Sequence, residues 1–78
     1  MIMKTVFLIQ PKEYDKLKKI CEDTKNKDES FIFEFIKGPY TTSLSIESSD
    51  EKQAKRRGMW IKKIIERDFK RKANFKVI

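Results

Sequence analysis

The sequence predicts an α+β fold in which two helices pack on one face of a small antiparallel sheet. Its 78 residues fit a single domain spanning 1–78. Two segments place apolar residues at helical spacing, and others have the alternation or the β-branched composition of strands. These elements follow in the order β-α-β-β-α, and two amphipathic helices can bury their apolar stripes together on one sheet face.

The N-terminal part of the chain is predicted to contain a strand and a helix. Residues 2–9 are rich in β-branched and aromatic side chains and are apolar on both faces near their end, which favours an interior strand. Pro11 suits a first helical turn, and an apolar stripe opposite lysines predicts a helix over 11–23. The stripe comprises Tyr14, Leu17, Ile20 and Cys21. The polar segment 24–30 lacks apolar anchors and is predicted to be a loop.

A β-hairpin is predicted in the middle of the chain. Residues 31–37 alternate with three Phe on one face. The dipeptide Gly38-Pro39 indicates a turn. Residues 41–47 alternate between apolar and polar side chains, so the two segments are expected to pair as neighbouring strands.

A long helix and a short strand are predicted at the C-terminal end. Ser48 is the expected N-cap, with Glu51 completing a capping box. The helix is expected over 50–72, and residues 74–78 are expected to close the sheet. Its apolar stripe comprises Ala54, Gly58, Ile61, Ile64, Ile65 and Phe69. With the last strand, the order β-α-β-β-α-β matches the split βαβ, ferredoxin-like plan, and other small α+β arrangements are the alternative.

The charge of the chain is distributed unevenly. Residues 1–51 contain eight Lys and ten acidic residues, a net charge of −2. Residues 52–78 contain eleven Lys or Arg and two acidic residues, a net charge of +9, which brings the total to the formal +7. Such asymmetry indicates an anionic partner.

The leading hypothesis is a small nucleic-acid-binding accessory or regulatory protein whose basic C-terminal helix contacts phosphates. Basic side chains that neutralise phosphates release condensed counterions, which favours binding. No base-reading motif is visible, so weak or shape-based specificity is expected, for DNA or for RNA. The candidate nucleic-acid-binding residues are Lys52, Lys55, Arg56, Trp60, Lys62, Lys63, Arg67, Lys70 and Arg71.

Two other interpretations of the basic helix stay open. One is a protein-interaction module, an inhibitor or adaptor that docks the helix on an acidic surface of a larger protein. The other is an ordinary solvated helix face. The role of Trp60 is also open. Its side chain can stack on an unpaired base, anchor a protein interface, or close the edge of the core against Ile64.

The uncovered face of the predicted sheet is a second candidate surface. If the Phe side chains of 31–37 face the helices, Ile32 and Ile36 lie on the uncovered face, where they suit a partner or a second copy of the chain. A homodimer is therefore one interpretation. RNA-recognition domains stack bases on sheet aromatics, but 41–47 offers none.

Enzymatic activity is not expected. The chain has no His, the commonest general base, and it contains no nucleophile elbow, phosphate loop or zinc-protease motif. A ribonuclease that uses Tyr, Lys and Arg is the remaining enzymatic alternative. The acidic residues of the first helix are expected to pair at the surface with its lysines; they are Glu13, Asp15, Glu22 and Asp23.

No cofactor, metal or membrane partner is expected. The single cysteine, Cys21, is predicted to be a buried hydrophobe, and a zinc site would need several Cys or His ligands. The apolar run 6–9 is far shorter than the about 20 residues of a membrane span. These observations predict a cytoplasmic protein.

Overall fold

A four-stranded sheet and two helices make up the structure, a computed structural model that describes residues 2–78. The elements are β1 Met3–Ile9, a 3₁₀ turn Pro11–Glu13, α1 Tyr14–Lys27, β2 Phe33–Lys37, β3 Thr42–Ser48, α2 Glu51–Phe69 and β4 Phe75–Val77. The predicted α+β class and the order β-α-β-β-α-β are confirmed.

The sheet has the strand order β2-β3-β1-β4, and every neighbouring pair is antiparallel. Strand β3 lies between β1 and β2, so the first βαβ unit is split by a third strand. This is the arrangement of the ferredoxin-like plan.

The core lies between one face of the sheet and the two helices. The fully or almost fully buried apolar residues are Phe7, Ile9, Leu17, Cys21, Phe31, Leu44, Ile46, Ala54, Ile61, Ile65 and Ala73. The ring of Phe35 on β2 contacts Tyr14 of α1, with 4.9 Å between the ring centroids. The Phe side chains of β2 therefore face the helices, which leaves Ile32 and Ile36 on the uncovered side, here called the open face.

Helix α1 is longer than predicted, because the expected loop 24–30 is helical as far as Lys27. The Thr24 hydroxyl donates to the carbonyl of Ile20 (2.8 Å), and the Asp28 N–H donates to the carbonyl of Thr24 (2.9 Å). The last turn faces solvent, so it needs no apolar anchor, and its lysines suit the negative end of the helix. Phe31 enters the core before β2 begins.

Both ends of α2 differ from the prediction. Ser48 is the last residue of β3, and the N-cap is Asp50, whose Oδ1 accepts from the Gln53 N–H (2.7 Å). Ser48 is still paired with Met3 in the sheet, so Asp50, the residue directly before the helix, is the one that caps it. The helix ends at Phe69, since Lys70 has the left-handed conformation (φ 55°) that stops a helix.

Candidate nucleic-acid interface

Helix α2 presents a cationic surface because its opposite side is fixed in the core. Ala54, Gly58, Ile61 and Ile65 are buried, so residues half a turn away point into solvent. Three of these outward residues, Lys52, Arg56 and Lys63, form what is called the basic row below. All three are exposed, and none makes an ion pair within residues 2–78.

The basic row has the dimensions of a short stretch of duplex. Lys52 and Lys63 are eleven positions apart in one helix, roughly 16 Å at 1.5 Å per residue. Duplex DNA carries about nine or ten phosphate charges over that length. The row could therefore meet several phosphates at once.

An exposed methionine lies inside this cationic surface. Met59 is 45% exposed. Residues three and four positions away on a helix are its surface neighbours, and for Met59 all of them are basic. They are Lys55, Arg56, Lys62 and Lys63. Sequence reasoning did not single out Met59, although its position opposite the apolar stripe was the available signal.

Two other predicted residues of the helix already have acidic partners. Lys55 pairs with Glu51 at 3.1 Å, both side chains being 64% exposed. Arg67 pairs with Asp68 at 2.9 Å, and Lys16 of α1 reaches the same carboxylate at 3.0 Å. The Lys55–Glu51 pair is exposed on both sides and therefore weak, so Lys55 remains able to contact an external anion. Asp68 is only 15% exposed, and Arg67 is the more exposed partner of that pair at 73%.

The pKa of Asp68 reports its two cationic partners. Hydrogen bonds from Arg67 first, and then from Lys16, lower that pKa from 3.8 to about 2. Asp68 is therefore ionised at neutral pH and compensates part of the positive charge at this end of α2.

Arg71 lies outside the cationic surface. It follows the end of α2, and its Nη2 donates to Oε1 of Glu13 at 2.7 Å. The Glu13 side chain is fully buried, whereas a quarter of the Arg71 side chain is exposed. The prediction that Glu13 is a surface acid is therefore wrong. Arg71 stabilises the fold through this ion pair instead of facing an external partner. Lys70 is exposed but also lies beyond the helix.

Trp60 lies at the edge of the core. It is half-buried, and its ring meets that of Phe31 edge to face with 6.0 Å between centroids. The guanidinium of Arg57 lies over the Phe31 ring, 5.2 Å from its centroid. It also donates to the Glu47 carbonyl at 2.6 Å. These contacts favour the core-edge interpretation of Trp60 over base stacking.

The remaining chemistry of the described chain is sparse. Residues 2–78 contain no group of three or more His, Cys, Asp or Glu side chains placed to hold a metal ion. Burial, followed by the charge of Glu22, raises the pKa of the Cys21 thiol to about 12. None of the helices within residues 2–78 combines the length and the apolar character needed to cross a membrane.

Comparison with known proteins adds no relative to this picture. The sequence matches no family model, and no curated protein and no solved structure shows a significant match to the chain.

Proposed function

We propose that the chain is a small nucleic-acid-binding accessory or regulatory protein whose basic row contacts phosphates. The observation that carries this proposal is the uncompensated charge of Lys52, Arg56 and Lys63 on one exposed face of α2. Like charges four positions apart, such as Lys52 and Arg56, destabilise a helix by about 0.2–0.5 kcal/mol. A bound polyanion attracts both side chains and offsets that repulsion.

The three side chains would contribute in different ways. The guanidinium of Arg56 can bind one phosphate through two parallel hydrogen bonds, whereas Lys52 and Lys63 act as point charges. Lys55, Lys62 and Arg67 border the row and would add to the attraction. Such contacts orient a nucleic acid without reading its bases, so discrimination between sequences is expected to be small.

Salt dependence is the direct test of phosphate contact. Fluorescence anisotropy with labelled duplex DNA, duplex RNA and a single strand would be measured at about 50 and 200 mM salt. Three phosphate contacts give a slope of about −2.7 in log affinity against log salt, which is roughly a 40-fold loss over this range. Absence of binding at the lower salt contradicts the proposal.

A matched pair of variants separates the basic row from net charge. Lys52→Glu/Arg56→Glu/Lys63→Glu removes the row. Lys12→Glu/Lys19→Glu/Lys27→Glu changes the net charge by the same amount, using exposed lysines of the 3₁₀ turn and α1. We expect the first variant to abolish binding and the second to weaken it less than tenfold. Equal losses would show that net charge alone drives binding.

Met59 favours a second candidate function, docking on an acidic protein. Met and Arg are enriched at the centres of protein interfaces, and an apolar side chain within a ring of cations would fit an apolar pocket with an acidic rim. Met59→Ala distinguishes the candidates. Phosphate contact predicts affinity for nucleic acid within about twofold of wild type, since Met59 adds no charge. A protein interface predicts a loss of tenfold or more in affinity for the acidic partner.

A further inference from the structure

The open face of the sheet carries exposed apolar side chains among charges. Four of its large apolar residues, Leu8, Ile32, Ile36 and Ile78, are each between 47% and 67% exposed. Its charged residues are Lys4, Glu34, Glu47 and Lys76, and none of these four forms an ion pair within residues 2–78. The pairing of the strands fixes where each one lies.

One row of side chains crosses all four strands at Lys4. Lys4 and Ile78 exchange two backbone hydrogen bonds of 2.7 and 2.8 Å, so Ile78 lies beside Lys4. On the other side Lys4 lies opposite Glu47, whose N–H donates to the Ile32 carbonyl (2.9 Å). From β4 to β2 the row therefore reads apolar, cation, carboxylate, apolar.

The next row has the same polarity. Lys76 of β4 lies opposite Val6 of β1. Val6 lies opposite Ser45 of β3, and Ser45 lies opposite Glu34 of β2. In both rows the cation is on the β1–β4 half of the sheet and the carboxylate is on the β2–β3 half, at the same distance from the midline.

We propose that a second copy of the chain docks on this open face to form a homodimer with a twofold axis parallel to the strands, above the midline between β1 and β3. A half-turn about this axis exchanges the two halves of the sheet and keeps each row in place. Lys4 then faces the partner's Glu47, Lys76 faces the partner's Glu34, and Ile78 faces the partner's Ile32. These two rows are self-complementary, as an isologous interface requires. In the third row Leu8, which lies opposite Ser43 within the chain, faces the partner's Ser43.

The pattern of charges also selects this axis over the alternative. A half-turn about an axis across the strands, above the row that contains Lys76 and Glu34, would place Lys76 on its own equivalent and Glu34 on its own equivalent. Like charges brought together at an interface are costly. Of these two axes, only the one along the strands pairs each of the four charges with its opposite.

The size of the open face sets the expected strength of the dimer. Four strands about 4.8 Å apart and seven residues of about 3.4 Å give a surface of roughly 19 by 24 Å. This is smaller than the about 800 Å² that each partner buries in a standard interface. We therefore expect a reversible dimer with a micromolar to millimolar dissociation constant. It rests on the open face alone, so it can hold or fail independently of the proposed function.

Charge reversal at the sheet edges tests the dimer. Glu34 and Lys76 lie on opposite edge strands of one chain, roughly 14 Å apart at three strand spacings, so they cannot pair within the chain. Either Glu34→Lys or Lys76→Glu places like charges at both ends of the dimer. We expect each variant alone to raise the dissociation constant at least tenfold in sedimentation equilibrium.

An equimolar mixture of the two variants restores opposite charges at both contacts. We expect the mixture to dimerise about as well as wild type, which misfolding of either variant could not produce. Lys19→Glu, the same charge change as Lys76→Glu at an exposed position of α1, should leave self-association unchanged. The proposal is overturned if wild type stays monomeric up to about 1 mM, if the single variants dimerise normally, or if the mixture stays monomeric.

Discussion

Arg71 and Glu13, separated by 58 positions, form an ion pair that joins three parts of the fold. Oε1 of Glu13 accepts from the Gln10 N–H at 2.9 Å as well as from Arg71. The Arg71 guanidinium also donates to the carbonyls of Leu8 (3.2 Å) and Lys72 (3.0 Å). The end of β1, the start of α1 and the segment after α2 therefore meet at one carboxylate.

Replacing Glu13 by Gln is expected to lower the free energy of unfolding by about 2 kcal/mol. The amide keeps the shape of the side chain but leaves the guanidinium without a counter-charge, and hydrogen bonds to charged groups contribute about 1.5–3 kcal/mol. The loss stays below the upper range because Arg71 is partly exposed and keeps some water. Urea denaturation measures the difference. Glu22→Gln on the exposed side of α1 is the control, with a change under about 0.5 kcal/mol.

Acid is expected to weaken the fold partly through the same carboxylate. Burial alone would raise the pKa of Glu13, but hydrogen bonds from Arg71 and from the Gln10 backbone outweigh it and hold that pKa below the ordinary 4.5. The unfolded chain then binds the proton more readily than the folded chain. The stabilisation by Glu13 is complete above pH 4.5 and is lost as pH falls through the folded pKa.

Comparing urea midpoints between pH 7 and pH 2 tests this dependence on Glu13. Wild type should lose stability more steeply below pH 4.5 than Glu13→Gln, which has no titrating group at that position. Asp68, with a folded pKa of about 2 against 3.8, should add a further loss between those values in both proteins. Parallel curves for the two proteins would contradict the assignment to Glu13.

Gly58 is expected to resist substitution by alanine although it lies inside a helix. A Cβ at this position would be 2.5 Å from Cε2 and 2.6 Å from Cζ of Phe75. The Phe75 ring is itself packed on Phe7, with 5.4 Å between centroids. Alanine gains about 1 kcal/mol of helix propensity, but forcing an added carbon into a packed site costs about 1–3 kcal/mol.

We therefore expect Gly58→Ala to lower stability by about 1 kcal/mol, measured by denaturant unfolding. The double variant Gly58→Ala/Phe75→Leu should lose less than the sum of its single variants, because the smaller side chain makes room for the Cβ. A net stabilisation by Gly58→Ala, or simple additivity, would contradict the close contact.

Helices and strands with a regular apolar pattern along their whole length were predicted from the sequence. Helix ends without apolar residues and contacts between distant parts of the chain were not. The stripe that includes Ile61 and Ile65 identified α2, and the alternation around Leu44 identified β3. The helical end of α1 was missed because a solvent-facing turn has no apolar period. No local pattern could pair Glu13 with Arg71, since that contact exists only after the chain has folded.

The cationic surface was predicted more closely than the roles of its individual members. Lys52, Arg56 and Lys63 were predicted to be phosphate-contacting residues of the basic helix, and the structure places all three on its exposed side. Arg71 was assigned to the same surface because the helix was predicted to run past Phe69. The open face was anticipated from Ile32 and Ile36, but its matched charges depend on strand register, which the sequence does not reveal.

The Cys21 thiol is expected to be unreactive in the folded protein. It is buried, and its raised pKa of about 12 leaves almost no thiolate at neutral pH. A thiol reagent such as DTNB should modify it slowly in buffer, and at the rate of a free thiol once denaturant unfolds the chain. Rapid modification without denaturant would contradict the buried position.

Substitutions at the N-terminal end of α2 distinguish Asp50 from Ser48 as its capping residue. Asp50→Ala should lower the free energy of unfolding by about 1 kcal/mol, because the Gln53 N–H loses its acceptor. Ser48→Ala should have no cost, since the buried Ser48 hydroxyl has no hydrogen-bond partner within residues 2–78. Removing such an unsatisfied group is neutral or stabilising. Urea denaturation of both variants decides the assignment, and the reverse order of effects would make Ser48 the cap.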